Sequence, residues 1–258
     1  MQLRLSTWPE IEAYLARSTG ILVPIGSMEQ HGPSGLLGTD AICAAEIARR
    51  AGAQADILVG PVIELGAAQF NLDFPETVGM RAATLIHVIC DYVRSLASQG
   101  FERFFFVNGH GGNVAPGNAA FQDLYAERSY AASRGNHRGV RCRLRSWWEY
   151  PQVGALRDRL YGEWEGLHAT PSEVAITQHV YPDSRREMSL DKPPSLHDDY
   201  YRNFSNDRHY DAEHHRREFP DGRIGSDPSL ATPEAGAELL HTVVPEVVAD
   251  YRNFVAEN

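Results

Sequence analysis

Four residues in two short motifs, Glu29, His31, Asp40 and His110, are of the types that bind divalent metals or move protons. Glu29 and His31 stand two apart in GSMEQHGPSGLLGTD, residues 26–40. Residues two apart in an extended chain point to the same side, so a carboxylate and an imidazole emerge together. Gly32 and Pro33 then turn the chain, and Asp40 arrives nine residues after His31 at the expected start of a helix. His110 lies in NGHGGN, residues 108–113, where Gly109, Gly111 and Gly112 leave the backbone free for close approach. A phosphate-cradling loop is the rival for this turn, but the Lys-Ser or Lys-Thr ending and the GxGxxG spacing are both missing.

A third segment, LHATPSEVAIT, residues 167–177, sets Thr170, Pro171 and Glu173 as cap, first turn and third residue of a helix. That is a capping box, which by itself accounts for Glu173. His168, two residues before the cap, is placed to act as an acid or base near the helix start. Taken singly, each residue has an ordinary structural reading: Asp40 as a helix cap, Glu29 as a surface carboxylate, His31 as a loop residue bonded to backbone. Together they follow buried strands, and open α/β sheets bind ligands at the carboxyl ends of their strands. Carboxylates and imidazoles converging there suit zinc, manganese or iron, and one carboxylate can bridge two ions roughly 3.5–4 Å apart.

The elements that must position these groups follow from the apolar pattern. GILVPIG (20–26), ADILVGPVIEL (55–65), RFFFV (103–107) and VRCRLRSWW (140–148) read as strands. Residues 41–50, 82–99 and 116–131 read as helices, the second with Leu85, Val88, Ile89, Tyr92, Val93 and Leu96 at helical spacing. The alternation predicts an α/β fold with a mainly parallel sheet covered on both faces. Residues 1–258 are expected to form one domain, with a charged surface excursion at about 183–222 that holds His197, His209, His214 and His215. A solvated, mobile segment is the expectation there, ahead of a histidine metal cluster.

The formal charge of -10 opposes binding to a phosphate backbone, so nucleic acid is not an expected partner. Three widely spaced cysteines suggest reduced thiols and not a disulfide framework. Without a secretory pattern at the N-terminus or a membrane-length apolar run, the expected location is the cytoplasm, with no membrane partner.

The combination of SMEQHGP…TD, NGHGGN and HATPSE resembles the creatininase (creatinine amidohydrolase) superfamily, and GRIGSDPSLATPEAG, residues 222–236, resembles that family's late glycine-rich stretch. The resemblance spans nearly the whole chain. It implies a three-layer α/β/α sandwich, a homo-oligomer such as a hexamer, a small-molecule amide substrate and two divalent metal ions per chain. Glu29 and His110 would bind one ion and His31 the other, with Asp40 bridging. His168 would match the catalytic histidine near the leaving group, and Trp148 and Trp164 the tryptophans lining the substrate pocket. The match departs at Gly111 and Gly112, where creatinine-hydrolysing members carry Tyr-Glu and the glutamate ligates metal. Glu173 is the candidate replacement, as a ligand or as a second acid/base.

The implied activity is hydrolysis of a carbon–nitrogen bond other than a peptide bond, foremost in a cyclic amide. Bound metal would activate water by lowering its pKa to about 7, and His168 would pass a proton to the leaving nitrogen. The alternatives are a formamide hydrolase acting on a formylamino-pyrimidine, and a metal- or sugar-binding homologue without turnover.

Overall fold

Three apolar runs become parallel strands, β1 (Gly20–Ile25), β2 (Arg103–Asn108) and β3 (Arg141–Ser146), paired side by side in that order. The computed structural model describes residues 1–131, 139–186, 188–193, 195–204 and 207–257. Its helices are α1 (Trp8–Leu15), α2 (Thr39–Ala55), α3 (Ala82–Ala97), α4 (Val114–Tyr130), α5 (Pro151–Tyr161), α6 (Pro171–Val180), α7 (Asp198–Phe204), α8 (Ala212–Glu218) and α9 (Pro233–Ala256).

Side chains alternate across a strand, and β2 shows how both faces of the sheet are covered. Phe104 and Phe106 pack with Leu85, Ile89 and Val93 of α3 and Phe121 of α4. Phe105 and Val107 pack on the other side with Ile47 of α2, Val174 of α6 and Leu240 and Val244 of α9. The result is the three-layer α/β/α arrangement expected of near-continuously apolar parallel strands. All six residues of β1 are buried.

The register decides where chemistry can be built. Ile25 of β1, Asn108 of β2 and Ser146 of β3 are aligned, so the strands end together. Whatever follows β1 and β2 therefore emerges at one edge of the sheet.

Residues 55–65 do not form the regular strand that their composition suggests. They run beside β1 through isolated bridges, Leu22 to Val59 and Ile25 to Ile63. Gly60 and Pro61 interrupt the run, and proline cannot donate to a ladder. The strand expected at 140–148 is shorter, because Trp147–Glu149 turn as a 3-10 helix with Glu149 accepting from the Ser146 N–H (3.0 Å).

The segment expected to be solvated at 183–222 is so only in part. His197 is exposed, but His215 is 1% exposed and packs edge-on to Phe70, with ring centroids 4.9 Å apart. His209 stacks on Phe204, at 5.7 Å and 6° between ring planes, and contacts Phe70 at 4.5 Å. Aromatic residues from the excursion and from 70–74 thus form a small apolar seat that draws the two imidazoles out of water. Among the described residues, no helix is long and apolar enough to cross a membrane.

Candidate active site

Glu29, His31, Asp40 and His110 meet at the shared strand edge, and all four are buried. Glu29 and His31 follow β1, Asp40 stands in the first turn of α2, and His110 follows β2. Gly109 makes this convergence possible: a Cβ there would lie 2.2 Å from the Asp40 carbonyl oxygen. Two asparagines of the turn hold the frame. Asn108 accepts from the His110 N–H (3.2 Å) and donates to the His110 carbonyl (2.7 Å), while Asn113 donates to the Gly26 carbonyl (2.9 Å).

Asp40 lies between the two imidazoles. Its Oδ1 is 2.9 Å from His31 Nε2 and its Oδ2 is 3.0 Å from His110 Nδ1. His110 Nδ1 also faces Glu29 Oε2 at 3.5 Å, and His31 Nε2 faces Glu173 Oε1 at 3.8 Å. The far nitrogen of each ring is bonded to backbone. His31 Nδ1 donates to the Glu29 carbonyl (3.1 Å), and His110 Nε2 donates to the Ala67 carbonyl (3.1 Å). With the outer nitrogens so held, the inward nitrogens face the carboxylates, which is the orientation that metal-ligating histidines use.

Two inward oxygens, Glu29 Oε1 and Asp40 Oδ2, have no hydrogen-bond partner. Asp40 Oδ2 is close to His110 Nδ1 without being aligned for a hydrogen bond. An unpartnered buried oxygen of this kind costs roughly 1–3 kcal/mol or more, so the pair marks a place that a cation would stabilise. Among the described residues, buried side chains could hold divalent metal in three overlapping sets: Glu29 with Asp40 and His110, His31 with Asp40 and Glu173, and Glu29 with His31 and His168.

The protonation pattern reflects the same crowding. Burial raises the Glu29 carboxyl to about 8 and the Glu173 carboxyl to about 7, against the pull of His110 and His31 respectively. Burial would also raise Asp40, but the His31 and His110 rings outweigh it and hold this carboxyl well below the usual range. Burial disfavours a charged His31, yet Asp40 and Glu173 lift it to about 10.

His168 sits on the same wall. Its Nε2 donates to the Gln30 carbonyl (2.7 Å), its Nδ1 is 3.5 Å from Glu29 Oε1, and its ring lies 4.7 Å from that of His31. Burial, with His31 adding to it, holds His168 neutral, well below the ordinary imidazole value. The late glycine-rich stretch braces it, with the Ser226 hydroxyl donating to the His168 carbonyl (2.5 Å) and the Ile224 N–H to the same oxygen (3.3 Å). The next residue, Ala169, is buried at φ +55°, a left-handed conformation costing about 1–3 kcal/mol that the packing enforces.

The capping box is present as read from the sequence: Glu173 accepts from the Thr170 N–H at 2.6 Å. The same carboxylate faces His31, so capping and facing the site are compatible. Glu173 is on the His31 side of Asp40, however, and not beside the glycine turn. The carboxylate beside that turn is Asp207, which accepts from the Gly112 N–H at 2.8 Å and lies in none of the motifs.

A cavity of about 370 Å³ opens over these groups, lined in part by Asp40, His110, Trp147, Trp148, His168 and Glu173. Trp148 is on its wall as expected, and Trp147, not anticipated, is there too. Trp164 is not among the lining residues described; its ring instead faces the Lys192 ammonium at 4.7 Å. The missed tryptophan was signalled only by adjacency to Trp148 at the end of β3.

The family model described as "Creatininase: Creatinine amidohydrolase" matches residues 4–250. A mycofactocin precursor peptide peptidase of Mycolicibacterium smegmatis is 44% identical over 100 residues, which cover 36% of this chain and 40% of that relative. A creatinine amidohydrolase of Pseudomonas putida is 26% identical over 205 residues, 75% of this chain and 77% of that relative. A solved structure described as "Creatininase Mn" superposes with a TM-score of 0.81 at 23% identity, over 99% of each chain. With its match running from the first helix into the last, this chain belongs to the creatininase family of amide-bond hydrolases.

Proposed function

We propose that the chain is a hydrolase of a carbon–nitrogen amide bond that works with two divalent metal ions, zinc, manganese or iron. The observation that carries the reading is the buried cage at the strand edge. Two imidazoles with backbone-fixed outer nitrogens face carboxylates of which two oxygens lack a hydrogen-bond partner. Glu29, Asp40 and His110 would hold one ion, and His31, Asp40 and Glu173 the other. When bound, such ions lower the pKa of water and polarise the substrate carbonyl.

The chain's own residues supply the rest. Asp40, with one oxygen toward each histidine, fixes the spacing of the two sets. His168, tethered through Nε2 to the Gln30 carbonyl and with Nδ1 3.5 Å from Glu29 Oε1, is the group on the cavity wall that would accept a proton and deliver it to the leaving nitrogen. Trp148, with Trp147 packed against it at 5.7 Å, offers a flat wall on which a planar ring could rest.

For the substrate, a small cyclic amide is the first reading, supported by that aromatic wall and by the creatinine amidohydrolase relative. A peptide amide is the second, supported by the peptidase relative, whose local identity to this chain is higher. A formamide of a pyrimidine is a further member of the same reaction class. Assembly into a cytoplasmic homo-oligomer, such as a hexamer, belongs to the same reading. Incubating zinc- or manganese-loaded protein with creatinine, a formylamino-pyrimidine and short peptides separates the substrates, because ring opening, formate and a new α-amine are distinct products. Turnover of one of them is expected. Failure to hydrolyse any amide in a broad panel by fully loaded protein would overturn the hydrolase reading in favour of a binding role.

A further inference from the structure

We infer that Gln30 is a positioning residue that fixes the ring of His168 beside Glu29, an inference that rests on the reading above of His168 as the group that moves a proton. Gln30 stands between Glu29 and His31 and is 6% exposed. An amide side chain neither takes up nor releases a proton at neutral pH, so its burial at this point serves another purpose.

The main-chain carbonyl of Gln30 accepts from His168 Nε2 at 2.7 Å. A carbonyl can only accept, so Nε2 carries the proton of the neutral ring and Nδ1, 3.5 Å from Glu29 Oε1, is bare. The side chain of the same residue turns to three other segments. Its Nε2 donates to Asn71 Oδ1 (2.8 Å) and to the Gly222 carbonyl (3.0 Å), and its Oε1 accepts from the Gly32 N–H (2.8 Å). The two backbone partners settle which end of the amide is which, since an N–H must meet the oxygen and a carbonyl the nitrogen. Gly222 is suited to this approach: its φ is +82°, and a Cβ there would lie 2.1 Å from Gln30 Oε1.

These bonds close a loop on His168. Gly222 opens the stretch whose Ile224 N–H and Ser226 hydroxyl donate to the His168 carbonyl, at 3.3 and 2.5 Å. Gln30 thus holds His168 twice, at the ring through its own carbonyl and at the backbone through residues 222–226. The Gln30 N–H, donating to Thr77 Oγ1 at 3.2 Å, adds a further tie to the same residue. Removing the amide frees both the peptide that carries the acceptor and the stretch that braces His168, and it leaves His168 and every candidate metal ligand in the chain.

The test uses full-length, zinc-loaded wild type, Gln30→Met and Gln30→Glu. Methionine keeps the length of the side chain without its hydrogen bonds. Glutamate keeps the acceptor for Gly32 and loses the amide donor to Asn71 and Gly222. Two-bond nitrogen–proton spectra of the histidine rings report the tautomer, with the His168 signal assigned from its absence in His168→Ala, and elemental analysis reports zinc. Wild type is expected to show a single His168 tautomer, protonated at Nε2. Both variants should show it averaging with the Nδ1-protonated form at wild-type zinc content. On any amide that wild type hydrolyses, kcat should fall by about 10–100-fold with KM kept. A single Nε2-protonated tautomer in the variants would overturn the inference. So would loss of zinc together with the tautomer, which would make Gln30 a general brace of the loop. Both results leave the hydrolase reading standing, since that reading falls only if zinc-loaded wild type hydrolyses no amide.

Discussion

Replacing Gly109 by alanine should damage the site without removing any group from it. The glycine has no positive φ to demand it, so the change is steric. The new Cβ would stand 2.2 Å from the Asp40 carbonyl oxygen, 2.9 Å from its carbonyl carbon and 3.3 Å from its Cα. An ordinary carbon–oxygen contact is about 3.3 Å, so something must retreat by about 1 Å. The turn cannot give easily, because the Gly109 N–H is bonded to the Ile25 carbonyl at 2.9 Å and continues β2. The displacement falls on the start of α2 and on the 3.0 Å approach of Asp40 to His110. Overpacking of this kind costs about 1–3 kcal/mol of stability. Misplacing ligands by that distance should weaken metal binding by about 10–100-fold. Urea unfolding gives the first quantity and zinc titration the second, and neither needs a known substrate. A Gly109→Ala protein with wild-type stability and wild-type zinc affinity would refute the claim that the sheet edge sets the spacing of the site.

His168→Ala should lower turnover by about 10²–10⁴-fold while the metal content measured by elemental analysis stays at the wild-type level. Loss of an ion in that variant would instead make His168 a ligand, an arrangement its proximity to Glu29 and His31 permits. Acid should loosen α8 before the sheet core. Burial depresses the folded-state value of His215 from 6.5 to about 3, so below about pH 6.5 the unfolded segment takes up a proton that the folded one refuses. Stability is therefore full above the unfolded value and is lost as pH falls from about 6.5 toward 3, by an amount on the order of a few kcal/mol. Amide exchange of residues 212–218, corrected for intrinsic rates, should rise at pH 5 relative to pH 7 in wild type. It should lose that pH dependence in His215→Leu, and an unchanged slope in the variant would reject the assignment.

The sheet was legible in the sequence where strands are buried on both faces, since β1 and β2 are unbroken apolar runs ended by glycine-containing turns. The segment at 55–65 has the same composition but follows an irregular path, because Gly60 and Pro61 spoil a ladder that apolar character alone cannot reveal. The site residues following those strands were legible for a related reason: Glu29, His31, Asp40 and His110 sit within a few residues of elements whose ends the sequence marks. Asp207 was not. It lies in a polar, charged stretch without periodicity, and its place beside His110 depends on the seating of His209 and His215 against Phe70. Trp164, which the resemblance marked as a pocket residue, has its ring facing the Lys192 ammonium, a pairing that no motif in the sequence signals.

The central claim is that Asp40 joins two metal sites, and elemental analysis of purified wild type and Asp40→Ala, each equilibrated with zinc and then desalted, tests it most directly. The arrangement of His31 Nε2 and His110 Nδ1 on the two oxygens of one carboxylate predicts about two ions per wild-type chain, with both lost or strongly weakened in the variant. A wild-type chain that retains no zinc, or an Asp40→Ala chain that keeps two ions, would contradict it.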